Sequence, residues 1–190
     1  MKVINLYQEE HELIQLAVEN NRHAQHQIYS KLAPKMLSVC RQYIKDVHQA
    51  EDIMITAFMK VFANLKNFEH KGSFEGWIRR IMVNECISFI RVDKKVKFIE
   101  DQTYFEERHN NIESQFSVED IQFLIDSLPE GYKTVFNLYA IEGFKHQEIA
   151  TMLGISEGTS KSQLSHARKE LQDNIMKLKN YEMSIKRSNR

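Results

Sequence analysis

Near the C-terminal end of the chain, polar and basic side chains recur at a spacing suited to contacting an extended polar surface. In the run EGTSKSQLSHARKEL, from Glu157 to Leu171, Ser160, Leu164, Ala167 and Leu171 form one stripe of a helix turning about 100° per residue. Thr159, Ser162, Gln163, His166 and Lys169 fall on the opposite side, and Lys161 and Arg168 flank the stripe. Hydroxyl and amide tips can pair with base edges, and cationic tips with phosphates, which is what a helix entering a major groove requires. The same spacing also suits a solvated helix in an αα-hairpin. A second group lies in the first half of the chain. The loop KNFEHKGS supplies Asn67, Phe68, His70 and Lys71, and the next segment interleaves Trp77, Arg79, Arg80, Asn84 and Arg91. Aromatic faces can stack on unpaired bases while arginines hold phosphates. Trp77 and Phe74 would serve equally well in a core.

These groups need helices to position them. The C-terminal run is preceded by a short helix, Lys145–Leu153, which Gly154 should end because glycine accepts the left-handed backbone of a helix terminus. Ile155 plugs the turn, and Ser156 is placed to cap the next helix. Upstream, Val118–Leu128 reads as a helix with Ile121, Leu124, Ile125 and Leu128 on one face, stopped by Leu128-Pro129, and Tyr132–Glu142 comes next. In the first half, helices are expected over Tyr7–Asn20, Arg22–Leu32, Pro34–Asp46, Gln49–Leu65 and Phe74–Arg91, with Pro34 in a first turn. Along Gln49–Leu65, Met54, Phe58, Val61, Phe62 and Leu65 make the core stripe. Asp52, Thr56, Met59 and Ala63 face away, with Ile55 at the boundary. That partly apolar outer face suits either protein docking or scattered surface residues.

The 190 residues carry two prolines, six glycines and almost no β-branched alternation, so an all-α chain is expected. The formal net charge is zero, which argues against a protein that coats nucleic acid along its whole length. Charge is nevertheless segregated: net +4 over 66–97, −8 over 98–130 and +4 over 145–190. The acidic stretch 98–117 has no clean period and reads as a flexible linker. The organisation expected is a domain over 1–97, the linker over 98–117, a helix-turn-helix domain over 118–179 and a basic, fraying tail over 180–190. Cys40 and Cys86 are isolated and read as buried free thiols rather than a disulfide. His23 and His26 share a helical face but have no further ligand partners, so they read as surface histidines. The absence of a phosphate loop, nucleophile elbow or metal-ligand spacing argues against an enzyme and against a cofactor. With no signal-like start and no apolar run near the ~20 residues of a membrane span, a cytoplasmic protein is expected.

Three segments in order, AEDIMITAFMKVFANL, GSFEGWIRRIMVNECISFIR and SLPEGYKTVFNLYAIEGFKHQEIATMLGISEGTSKSQLSHARKEL, resemble bacterial sigma-70-type factors of the extracytoplasmic-function (ECF) group. The resemblance spans about residues 10–178. It implies that the helix carrying Glu51, Asp52, Ile55, Thr56 and Met59 docks on core RNA polymerase. Asn67, Phe68, His70, Lys71, Trp77, Arg80, Asn84 and Arg91 would open and hold the minus-ten element of promoter DNA. Thr159, Lys161, Ser162, Gln163, His166, Arg168 and Lys169 would read the minus-thirty-five element. The linker would thread through the polymerase, and an anti-sigma protein is a further partner the family commonly uses. The chain departs from the family pattern at Ile55 and Thr56, where Gln-Glu is usual. It departs again at Ser160, usually apolar, where either packing is weakened or the hydroxyl must find a backbone partner, and at Gln163 and His166, usually arginine. The competing reading is a stand-alone helix-turn-helix regulator that binds duplex DNA without polymerase.

Overall fold

The computed structural model describes residues 2–92 and 117–188, all helix and connecting turn, with no strand among them. The chain divides into two compact units, Met1–Val92 and Asp93–Arg190. The acidic segment expected as a linker lies outside the described residues except for its last residue, Ser117.

In the first unit, helix ends are set by local chemistry. Helix α1 (Lys2–Val18) leads to Asn20 in the left-handed region, φ 62°. Asn21 then caps α2 (Arg22–Tyr43) by accepting from the amides of His23 and Ala24 at 3.0 and 3.1 Å. Asp46 caps α3 (Val47–Asn64) through the amide of Gln49 at 2.9 Å. A 3-10 turn, Leu65–Asn67, leads into the loop before α4 (Phe74–Val92), where Ser73 Oγ accepts from the amide of Gly76. Helices α2, α3 and α4 pack on one another, and α1 packs on α2. Met36, Cys40, Ala57, Val61, Ile78, Met82 and Cys86 are almost fully buried among them. Both cysteines are free and buried, as expected, Cys40 on α2 and Cys86 on α4.

Pro34 does not start a new helix. It sits inside α2, whose buried residues Ala24, Ile28, Leu32, Met36, Val39, Cys40 and Tyr43 run through it unbroken. Proline removes one backbone hydrogen bond and crowds the preceding turn, at a cost of about 3 kcal/mol in a helix interior. Burial of that continuous stripe offsets the cost, and Pro34 itself faces solvent. Pro34→Ala should therefore restore the bond to Ser30 and stabilise the first unit by about 1–2 kcal/mol. Calorimetry on the full chain checks this, and an unchanged or lower first transition would contradict it.

The second unit begins with α5 (Val118–Asp126), closed by a capping box between Ser117 and Asp120. Ile121, expected in the core, is 48% exposed, because burial here is concentrated at the end of the helix and just beyond it, in Leu124, Ile125 and Leu128. Helix α6 (Glu130–Phe136) runs into a π-helical turn, Asn137–Ile141. Lys133 of α6 is 1% exposed, with its ammonium 3.4 Å from Asp126 Oδ1, so a charged residue occupies a core position. Helix α7 (His146–Leu153) ends at Gly154, φ 68°. Ser156 Oγ accepts from the amide of Thr159 at 2.9 Å, as an N-cap should, and α8 (Glu157–Ser188) begins. Helix α8 continues to Ser188, into the segment expected as a basic tail, and no glycine or proline interrupts residues 159–188. Helices α5, α6 and α7 all pack on α8.

Candidate functional site

On α3, Asp52, Ile55, Thr56 and Met59 all face solvent and Glu51 is half-buried. Ile55 and Met59, one turn apart, are 48% and 68% exposed, while Ile53, Met54, Ala57 and Phe58 carry the packing. The Thr56 hydroxyl donates back to the Asp52 carbonyl at 2.9 Å, so it leaves the apolar pair uninterrupted. This face is apolar at its centre and acidic at its start.

The loop before α4 holds an aromatic cluster. Phe68 lies 5.1 Å from Phe74, 5.5 Å from Trp77 and 4.8 Å from His70, and His70 stacks on His11 of α1 at 4.7 Å. Phe68, expected on display for base stacking, is buried; the contacts with Phe74 and Trp77 draw it inward, and it lines only the inner wall of a cleft. That cleft, about 240 Å³, lies between α1 and the loop and is lined by Gln15, Glu19, Lys66, Phe68 and His70, among others. His70 holds φ 57°, a left-handed backbone uncommon outside glycine. Asn67 and Lys71 are exposed, and Lys71 pairs with Glu69 at 2.7 Å. Beyond the loop, half-buried Trp77 and exposed Arg80, Asn84 and Arg91 line one face of α4, joined by exposed Ser88. The mixture can stack a ring and hold phosphates on one surface.

In the second unit, the outward face of α8 differs from the expected one. Thr159, Ser162 and Gln163 are buried at 5%, 0% and 1% exposure, and His166 is half-buried. Single-stripe periodicity assumes packing on one side, whereas α5, α6 and α7 all press on α8, so its buried arc is broader. Tyr132 of α6 stacks on His166 at 5.3 Å with rings 7° from parallel. Ser162 Oγ donates to the Thr159 carbonyl, and the Thr159 hydroxyl pairs with Ser156 Oγ, so both are engaged within their own helix start. Arg168 lies 5.7 Å over the Tyr139 ring. Of the residues expected to read DNA, Lys161 and Lys169 are exposed and Arg168 is half-buried, with half-buried Ser165 and Gln172 on the same line as the two lysines. Ser165 is one helical turn beyond Lys161 and Gln172 three turns beyond it. Sequence reasoning missed both, because their place on the open side of α8 emerges only once its packing partners are known. Lys161 also pairs with Glu157 at 2.6 Å, and that contact holds the Glu157 carboxyl below its ordinary value.

Ser160 does not find a backbone partner for its side chain. Its hydroxyl, in a residue with 0% exposure, meets His146 Nδ1 of α7 at 2.9 Å. His23 and His26 bond to Gln27 and Ser30 on their own helix, and among the described residues no group of three possible metal ligands forms. No helix among them is long and apolar enough to cross a membrane.

The similarity to known proteins also falls in two parts. Residues 28–96 match the family model for Sigma-70 region 2, and residues 119–171 match Sigma-70, region 4. The chain is 31% identical over 137 residues to the ECF RNA polymerase sigma factor SigE of Mycolicibacterium smegmatis, covering 68% of this chain and 53% of that one. It therefore spans about half the length of that relative. It is 28% identical over 135 residues to RNA polymerase sigma factor SigV of Bacillus subtilis, covering 71% and 81%. Among solved structures, the sigma factor RpoE in complex with the anti-sigma factor NepR from Bartonella quintana is similar at TM-score 0.46 and 22% identity, over 80% of this chain and 96% of that one. With one region matched on each of its two units, the chain belongs to the sigma-70 family of RNA polymerase sigma factors, in the ECF group.

Proposed function

We propose that this sigma factor binds core RNA polymerase through the outer face of α3 and directs initiation at promoters by holding two DNA elements at once. The observation that carries the reading is the exposed apolar pair Ile55 and Met59, in the same unit as the cleft between α1 and the aromatic loop. A solvent-facing apolar centre with acidic residues at its edge suits a protein partner, since desolvating it is favourable and the charges fix orientation. His70, Trp77, Arg80, Asn84 and Arg91 supply the stacking and charge needed to keep a promoter base out of its duplex, which otherwise costs a few kcal/mol. Lys161 and Lys169 supply phosphate contacts for α8 in the upstream element. Holding both elements on one polymerase raises the effective concentration of each weak contact once the other forms. The factor performs no catalysis of its own and acts in the cytoplasm beside the polymerase, and an anti-sigma protein is a further partner.

In reconstituted transcription, the chain should give promoter-dependent initiation only with core polymerase. Specific, tight duplex binding by the chain alone at physiological salt would favour a stand-alone regulator instead. Lys161→Ala and Lys169→Ala should each weaken upstream-duplex binding about equally on all sequences and reduce the salt slope by about 1. An unchanged slope in a salt titration would remove their phosphate role.

A further inference from the structure

Three elements of the second unit meet at one imidazole. His146 is the first residue of α7; its ring stacks on Tyr139 of the π-helical turn at 4.6 Å and 23°, and its Nδ1 meets the Ser160 hydroxyl of α8 at 2.9 Å. Ser160 belongs to a buried stripe that is otherwise apolar, with Leu164 and Ala167. A hydroxyl there, away from water, needs a hydrogen-bond partner. On α8 itself, Arg168 lies over the same Tyr139 ring. The turn between α7 and α8 is only Gly154, Ile155 and Ser156, so a bond from the start of α7 to the start of α8 closes a small loop and restrains how the two helices cross. Lys161 is the residue after Ser160, and a rotation of α8 at this point would carry Lys161 and Lys169 with it.

We propose, resting on the reading that α8 lies against upstream duplex DNA, that His146 is a positioning residue: its bond to Ser160 and its stack on Tyr139 set the orientation in which α8 meets the DNA.

The charged and titratable groups around the ring are Lys161 and Glu157 of α8 and Tyr139 of the turn, with Arg168 against that tyrosine. Burial first, and then the Lys161 charge, hold His146 below its ordinary value, with Glu157 opposing. Neutral imidazole can accept from or donate to the Ser160 hydroxyl at Nδ1, according to its tautomer; protonated imidazole can only donate, and it places a second cation beside Lys161. Because the unfolded chain takes up the proton at a higher pH than the folded one, the contribution to stability is present above the ordinary value of 6.5 and is lost as pH falls below it. In mild acid the ring therefore becomes charged in a partly buried place beside Lys161, which loosens its hold between the π-helical turn and α8.

The test uses holoenzyme assembled from the full chain and core polymerase. It is presented with a DNA library randomised upstream of a fixed, pre-melted bubble, and the selected upstream duplex then competes against a scrambled one. His146→Phe keeps an aromatic ring but removes the bond and the titration; Ser160→Ala removes the hydroxyl; Ser160→Thr keeps it. Wild type should prefer the selected duplex, and His146→Phe and Ser160→Ala should each lose about fivefold of that preference at neutral pH, with Ser160→Thr retaining most of it. Between about pH 7.5 and about pH 5.8, wild type should lose preference more steeply than His146→Phe. Circular dichroism confirms that the compared proteins are folded, and if His146→Phe does not fold, the Ser160 pair carries the test. Equal preference in wild type and Ser160→Ala would overturn the positioning role while leaving upstream reading intact. No preference in wild type at any pH would overturn both.

Discussion

Met59→Glu should lower the affinity of the chain for core RNA polymerase about a hundredfold, equivalent to about 3 kcal/mol. Met59 is 68% exposed and makes little of the fold, so the substitution should change stability by less than about 0.5 kcal/mol. In the complex, the new carboxylate would replace a flexible apolar side chain beside Ile55 and would have to be desolvated without a partner from its own chain. The acidic start of the same face, Glu51 and Asp52, would add like-charge repulsion. Fluorescence anisotropy of labelled chain titrated with purified core measures the effect. Affinity within twofold of wild type, with the fold intact, would place the polymerase contact elsewhere.

The second large effect separates the two units. Leu138→Ala should destabilise the C-terminal unit by about 3 kcal/mol through lost burial and a residual cavity, because Leu138 is 0% exposed. For a unit of this size that corresponds to a fall of about 12–24 °C in its melting temperature. The first unit has its own core among α2, α3 and α4 and should keep its transition. Core binding through α3 should survive at temperatures where upstream-duplex recognition is lost. Calorimetry with parallel core-binding and promoter-binding assays checks this. Loss of core affinity in step with duplex recognition would mean that the units do not act separately.

The candidate surface of the first unit is more legible in the sequence than that of the second. On α3, helical periodicity separates the core stripe from its opposite face, and Asp52, Ile55, Thr56 and Met59 are exposed as that periodicity requires. The buried residues of α3 lie along one side, so a single stripe describes it. On α8 the same reasoning misplaces Thr159, Ser162 and Gln163, because a helix with neighbours on several sides buries residues that one stripe assigns to solvent. In the aromatic loop, the spacing marks the cluster but not its order: Phe68 turns inward and His70 outward, a choice made by ring packing rather than by local spacing.

By itself, the sequence determined the helical class, the free thiols and the places where helices begin and end around Gly154 and Ser156. Those features depend on backbone conformation and capping within a few residues, and such preferences are written locally. Only the tertiary structure decided that α2 continues through Pro34, that Lys133 sits at a core position against Asp126, and that the Ser160 hydroxyl is answered by His146. Each of these depends on how many neighbours a helix has and which side chain each neighbour brings. That information lies between segments distant in sequence, where periodicity within one helix cannot reach it.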